Sequence, residues 1–128
     1  MIIFIIFSIA LVILIHEIGH FLVAKKLKVR VTKFSIGIGP EIIKKQIGET
    51  KYCFSAFPIG GEVRMAGENY FLPDYNARPD EFYAKTWYQR IMIVSAGPVM
   101  NYSFAFIMFL FIALFWGKTN IDYQPVIG

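Results

Sequence analysis

His16, Glu17 and His20 sit inside "LVILIHEIGHFLVAKK", residues 11–26, a run that is otherwise apolar until Lys25 and Lys26. On a helix the two histidines are four apart and project from one face, close enough to hold one metal ion through two imidazole nitrogens. Glu17 is offset around the helix, so it addresses a water on the metal rather than the metal. That pattern fits zinc-dependent peptide hydrolysis: the ion lowers the pKa of a water toward neutrality, and the carboxylate takes its proton as the oxygen attacks a carbonyl. The competing reading is a pair of core histidines bonded to a neighbouring helix, with Glu17 paired to a lysine. Charged groups at membrane depth cost about 3 kcal/mol each, and those kept there are usually functional, which favours the metal.

The elements that carry these residues are set by composition. At 56% hydrophobic and 17% aromatic over 128 residues, the chain is more apolar than a soluble domain needs. Its mean hydropathy is +0.53. The apolar residues concentrate in residues 1–24 and 91–116. Each block is long enough, at about 1.5 Å per residue, to cross about 30 Å of hydrocarbon, so both are expected to be transmembrane helices. A cleaved signal peptide fits the first block poorly: it has no basic n-region and exceeds an h-region, and Lys25 and Lys26 follow where a small-residue cleavage site would be.

Twelve of the thirteen Lys and Arg lie in residues 25–90 against seven acids, a net +5. The positive-inside rule makes this stretch cytoplasmic and puts the N-terminus outside. Beside two spans, such a basic patch suits anionic lipid headgroups of the bilayer, and no nucleic-acid partner is expected. Cys53 is the single cysteine and has no internal disulfide partner and no CxxC spacing, so it reads as a strand residue.

Counted inward from Lys25, His20 and His16 lie roughly 8 to 14 Å deep; counted from Arg90, Gly97, Pro98 and Asn101 lie roughly 10 to 17 Å deep, so the two sets meet at one level. Pro98 frees the carbonyl of Val94 and Gly97 admits a close neighbour, which predicts a kinked or opened second helix beside the metal. Asn101 then offers an amide to a substrate backbone or a developing oxyanion; its alternative role is helix-packing glue. Between the spans, "EIIKKQI" and "KYCFSAF" flank Gly48 and Glu49 as a hairpin, and glycines at 37, 39, 60 and 61 punctuate extended pieces on either side. "PDEFYAKTWYQR", residues 79–90, reads as an interfacial amphipathic helix.

Four segments together resemble the site-2-protease type of intramembrane zinc metalloprotease, the bacterial regulated-intramembrane-proteolysis branch of peptidase family M50. They are the His16–His20 motif, "FSIGIGPEI" at 34–42, "FPIGGEVRMAGE" at 57–68, and "FYAKTWYQRIMIVSAGPVMN" at 82–101 with its Gly-Pro-x-x-Asn. Thr86 stands where the family often has proline. The resemblance implies a fold of two transmembrane helices flanking a cytoplasmic, partly re-entrant β region (25–78), with residues 117–128 opening a PDZ domain, of which "YQPVIG" resembles the first strand. It implies a bacterial inner-membrane, multi-pass enzyme. Its catalytic base would be Glu17 and its zinc ligands His16 and His20. Its substrate groove would be formed from Asn101, Gly97, Pro98, Phe34, Ser35, Ile36, Gly37, Gly39, Gly60 and Gly61. Residues 34–39 are the candidate strand edge that captures an unwound substrate helix by main-chain pairing.

A catalytic zinc site takes three protein ligands. Asp74, Asp80, Glu81 and Asp122 are poorly placed by depth, and the family's third ligand is an aspartate on a later span. The chain is therefore expected to be the N-terminal part of a longer enzyme binding one Zn2+, inactive alone, whose substrate would be a single-span membrane protein such as an anti-sigma factor. Two other classes stay open: a different membrane zincin, and a non-catalytic membrane scaffold or metal-handling protein that would have no use for Glu17.

Overall fold

The computed structural model describes residues 1–68 and 76–117; the segment resembling a PDZ strand, together with Asp74 and Asp122, lies outside them. The order is α1 (Ile2–Lys26), β1 (Val31–Ile47), β2 (Thr50–Met65), a 3-10 turn (Phe82–Ala84) and α2 (Trp87–Trp116). Two long apolar helices thus flank an antiparallel hairpin.

The 25 residues of α1 span about 37 Å and the 30 of α2 about 45 Å. α1 contains no proline, and Lys25 and Lys26 in its last turn face the negative end of the helix dipole. The chain leaves it through Lys28, at φ 56, where Val29 N–H bonds the Ala24 carbonyl at 2.8 Å. The expected interfacial helix over 79–90 is not one element. A 3-10 turn ends at Ala84, Lys85 and Thr86 are extended, and α2 begins at Trp87, four residues before the expected start of the span. The reason is a capping box: Gln89 Oε1 accepts from Thr86 N–H at 3.1 Å and from the Thr86 hydroxyl at 3.0 Å, which fixes the helix start there. Nor is α2 opened at Pro98, since the helix runs unbroken through it.

The hairpin turns at Gly48 and Glu49, and each strand is bent by bulges so that the pair folds over itself. Residues 33–36 of β1 pair with 61–64 of β2 on one side and with 51–54 on the other, while 43–47 pair with 50–54. At the bend Gly37 has φ 87, and a Cβ there would sit 2.5 Å from the Phe57 carbonyl oxygen, so no other residue type fits. A core of Ala24, Val29, Val31, Met65 and Ile93 joins the end of α1, the first and last residues of the sheet and the first half of α2. Phe21 extends it, with its ring 5.2 Å from Phe34 and 6.1 Å from Tyr52. Burial on the helices is confined to this junction and the helix contact: Gly19 and Ala24 in α1, and Ile93, Ala96 and Gly97 in α2. The rest of both helices is apolar and open, with Phe4 78% and Phe109 70% exposed.

Candidate active site

α1 and α2 cross where both are thinned by glycine. A Cβ on Gly19 would overlap the Ala96 carbonyl oxygen and lie 2.9 Å from Met100 Cβ, so only glycine lets the backbones approach this closely. Across the contact, Gly97 faces the two histidines: an added Cβ would stand 2.5 Å from His16 Nε2 and 2.5 Å from His20 Nε2. Both Nε2 atoms therefore converge on the hollow left by the missing side chain, with ring centroids 4.8 Å apart.

The inner nitrogens are held from α2. His20 Nδ1 is 2.7 Å from the Ile93 carbonyl oxygen, and His16 Nδ1 is 3.3 Å from Asn101 Nδ2. Ile93, Gly97 and Asn101 are successive fourth residues on one face of α2, and they meet His20 and then His16 because the two helices run in opposite directions. Carbonyl, hollow and amide thus form one row opposite the two rings. With Nδ1 of His20 engaged, Nε2 is the nitrogen left open toward Gly97, the orientation in which a histidine with a held Nδ1 can bind a metal. Two imidazole nitrogens aimed at one point beside Gly97, too close to it to admit a methyl, are a donor set that suits a zinc ion. Among the described residues no third His, Cys, Asp or Glu joins them.

Glu17 opens to a different space. It lines a cleft of about 330 Å³ with His20, Glu62, Val63, Met65, Glu68, Phe82, Ile93 and Val94, one wall of which is the last stretch of β2. Gly61 makes this approach possible, since a Cβ there would lie 2.7 Å from Glu17 Cγ. A second cavity of about 540 Å³ lies on the other side of His16, bounded by Val12, Pro98, Asn101, Tyr102, Phe104, Ala105 and Met108.

The sheet corrects the first half of the expected strand edge at residues 34–39. Residues 34–36 pair on both sides, Phe34 is buried against Phe21, and Ser35 is buried with Oγ 3.3 Å from Ser55 Oγ, so none of them is a free edge. Within the described sheet the outer strand beside Glu17 is residues 61–65. The sequence put Gly61 in the groove but the capturing edge at 34–39, because both stretches are short, polar-apolar alternations beside glycines, and only the fold of the hairpin decides which lies outside. Gly39, at φ 100, and Gly60 lie at the bends, with Gly60 against the Ile38 side chain. Ile38, Phe57 and Ile59 are 60%, 62% and 55% exposed there, an apolar tip on the sheet. Gly19 was also missed, although its position within the histidine motif is a readable small-residue signal.

Charges on the sheet are paired with one another, Glu62 at the wall of the Glu17 cleft among them. Lys33 bridges Glu41 at 3.4 Å and Glu62 at 3.2 Å. The hydrogen bond to Glu62 raises the Lys33 pKa against the opposing effect of burial. Hydrogen bonding from Lys51 holds the Glu41 carboxyl down to about 2. Burial pushes the Cys53 thiol up, aided by Glu41.

The family model for Peptidase family M50 matches residues 4–126. Among curated relatives, candidate zinc metalloproteases of Thermotoga maritima, Borreliella burgdorferi and Fusobacterium nucleatum are 43%, 37% and 39% identical over 83%, 96% and 92% of the chain. The chain spans 21%, 30% and 34% of those proteins' lengths. A histidine pair converging on a glycine hollow, a neighbouring glutamate in a strand-walled cleft, and a family match over nearly the whole chain agree: the chain belongs to Peptidase family M50.

Proposed function

We propose that this chain supplies two zinc ligands, the general base and part of the substrate groove of an intramembrane endopeptidase. The observation that carries the reading is the convergence of His16 and His20 Nε2 on Gly97, with Glu17 facing the adjoining cleft. Zinc, when bound, supplies the Lewis acid that acidifies a water and polarises a carbonyl. Glu17 accepts the proton of the attacking water; the water oxygen bonds to the scissile carbonyl carbon, the C–N bond breaks, and Glu17 returns the proton to the leaving amine. A helical substrate has its carbonyls occupied, so it must be unwound before cleavage. Residues 61–65, an outer strand walling the cleft beside Glu17, are suited to hold such a segment by main-chain pairing, in place of residues 34–36. Gly97, Pro98 and Asn101 supply the α2 side. The exposed apolar surface of both helices and the tip at Ile38, Phe57 and Ile59 support a bilayer setting, with the sheet dipping toward the site. The cytoplasmic placement of residues 25–90 rests on their basic excess. The substrate class is a single-span membrane protein such as an anti-sigma factor, and the third ligand comes from elsewhere in the intact protein.

The test is zinc content and cleavage of a single-span reporter by the intact protein. His16→Ala and His20→Ala are expected to lose both. Glu17→Gln should keep zinc and the fold and lose turnover, because an amide cannot take the proton. Near-normal turnover by Glu17→Gln would place the general base elsewhere, and zinc binding with no cleavage by the intact wild type would leave a metal-handling or scaffold role as the better reading.

A further inference from the structure

The two histidines differ in what holds their inner nitrogen. For His20 it is a backbone carbonyl, an acceptor only, so the proton is on Nδ1 and the lone pair on Nε2. For His16 it is the Asn101 amide, which can present either a donor or an acceptor. With Nδ2 toward the ring, the amide donates into His16 Nδ1, the ring proton moves to Nε2, and the lone pair is lost from the side facing Gly97. That orientation also leaves Asn101 Oδ1 buried without a partner. Turning the amide end for end keeps its shape and brings Oδ1 onto Nδ1, where it accepts the ring N–H. The orphaned oxygen gains a donor, and both histidines present lone pairs to one point.

We propose that Asn101 is a positioning residue for His16: its side-chain carbonyl binds Nδ1–H and fixes the tautomer that presents Nε2 to the metal. The inference rests on the reading of His16 and His20 as zinc ligands. Asn101 does for His16 what the Ile93 carbonyl, eight residues earlier on the same face of α2, does for His20. The Asn101 side chain reaches across the helix contact to the His16 ring, and its amide can turn to present the oxygen. The NH2 group then takes the buried place that Oδ1 held, away from the ring, so what favours the exchange is the tautomer it gives His16.

The acceptor and donor halves of the amide are separable by substitution. Zinc affinity is measured on the intact protein by competition with a chelator. Asn101→Ala, which removes both halves, should weaken zinc by about 10- to 100-fold, the usual effect of losing an outer-sphere partner. Asn101→Asp keeps an oxygen acceptor without the donor and should hold zinc at least as tightly as the wild type. An equal loss in Asn101→Asp and Asn101→Ala, both folded, overturns the proposal. If the carboxylate prevents folding, the ring 15N shifts of His16 decide: the zinc-free wild type should be protonated at Nδ1, and protonation at Nε2 overturns it. His16→Ala and His20→Ala separate the two layers. If they lose zinc while Asn101→Ala does not, only the positioning role fails; if they keep it, the ligand reading fails with it.

Discussion

Gly97→Ala places one methyl on the point where both imidazoles converge. The new Cβ would stand 2.5 Å from each Nε2 and 2.7 Å from His16 Cδ2, about 1 Å inside the closest comfortable contact of about 3.5 Å. Alanine gains about 0.8 to 1 kcal/mol in helix propensity, and overpacking costs about 1 to 3, so the helix pair itself should lose only roughly 0 to 2 kcal/mol. The rings must give way, and turning His20 lengthens its 2.7 Å bond to the Ile93 carbonyl, at about 0.5 to 1.5 kcal/mol. Metal binding suffers more than folding because both ligands move together. Disturbing one outer-sphere partner alone weakens a site by about 10- to 100-fold, so a loss of at least about 100-fold is expected here. Chelator competition beside a detergent-unfolding midpoint reads the two effects apart. Gly19→Ala is the control: its methyl strikes the Ala96 carbonyl and Met100 in the same helix contact, so the midpoint should fall with a smaller change in zinc affinity. Wild-type zinc affinity in a folded Gly97→Ala protein would refute the convergence of His16 and His20 on this hollow.

Other residues test the remaining parts of the argument. Gly61→Ala drives a methyl into Glu17 Cγ, so cleavage should fall while zinc is retained; loss of zinc instead would mean that the strand supports the ligands rather than the base. Glu41 is ionised in the fold down to about 2 against an ordinary value of 4.5, so its contribution is complete above about pH 4.5 and is lost as pH falls toward 2. The unfolding midpoint should drop across that window, and Glu41→Gln should flatten the drop; an unchanged slope would remove the Lys51 and Lys33 bonds as its cause. Cys53 is buried with its thiol pKa raised, so it should react slowly with a neutral-pH alkylating reagent until the sheet unfolds, and rapid labelling of native protein would contradict the inner-strand placement.

The sequence alone determined what is local or periodic. The i, i+4 histidines, the two apolar blocks and the turn at Gly48 and Glu49 each follow from spacing within a dozen or so residues, and the structure has elements at each of those places. The start of α2 was also legible, in Thr86 and Gln89 as a capping pair, although the aromatic run before it suggested a helix. What tertiary structure decided is everything that depends on which neighbour arrives. Residues 34–36 and 61–65 have similar patterns, and only the folding of the hairpin over itself buries the first between two partners and sets the second beside Glu17. Depth counting could bring Asn101 level with His16, but not show that its amide meets a ring nitrogen, because a helix position fixes a height and not a contact across 85 residues of sequence. The hollow at Gly97 exists only because two helices, thinned by Gly19 and Gly97, come close enough for one missing methyl to be shared by two imidazoles.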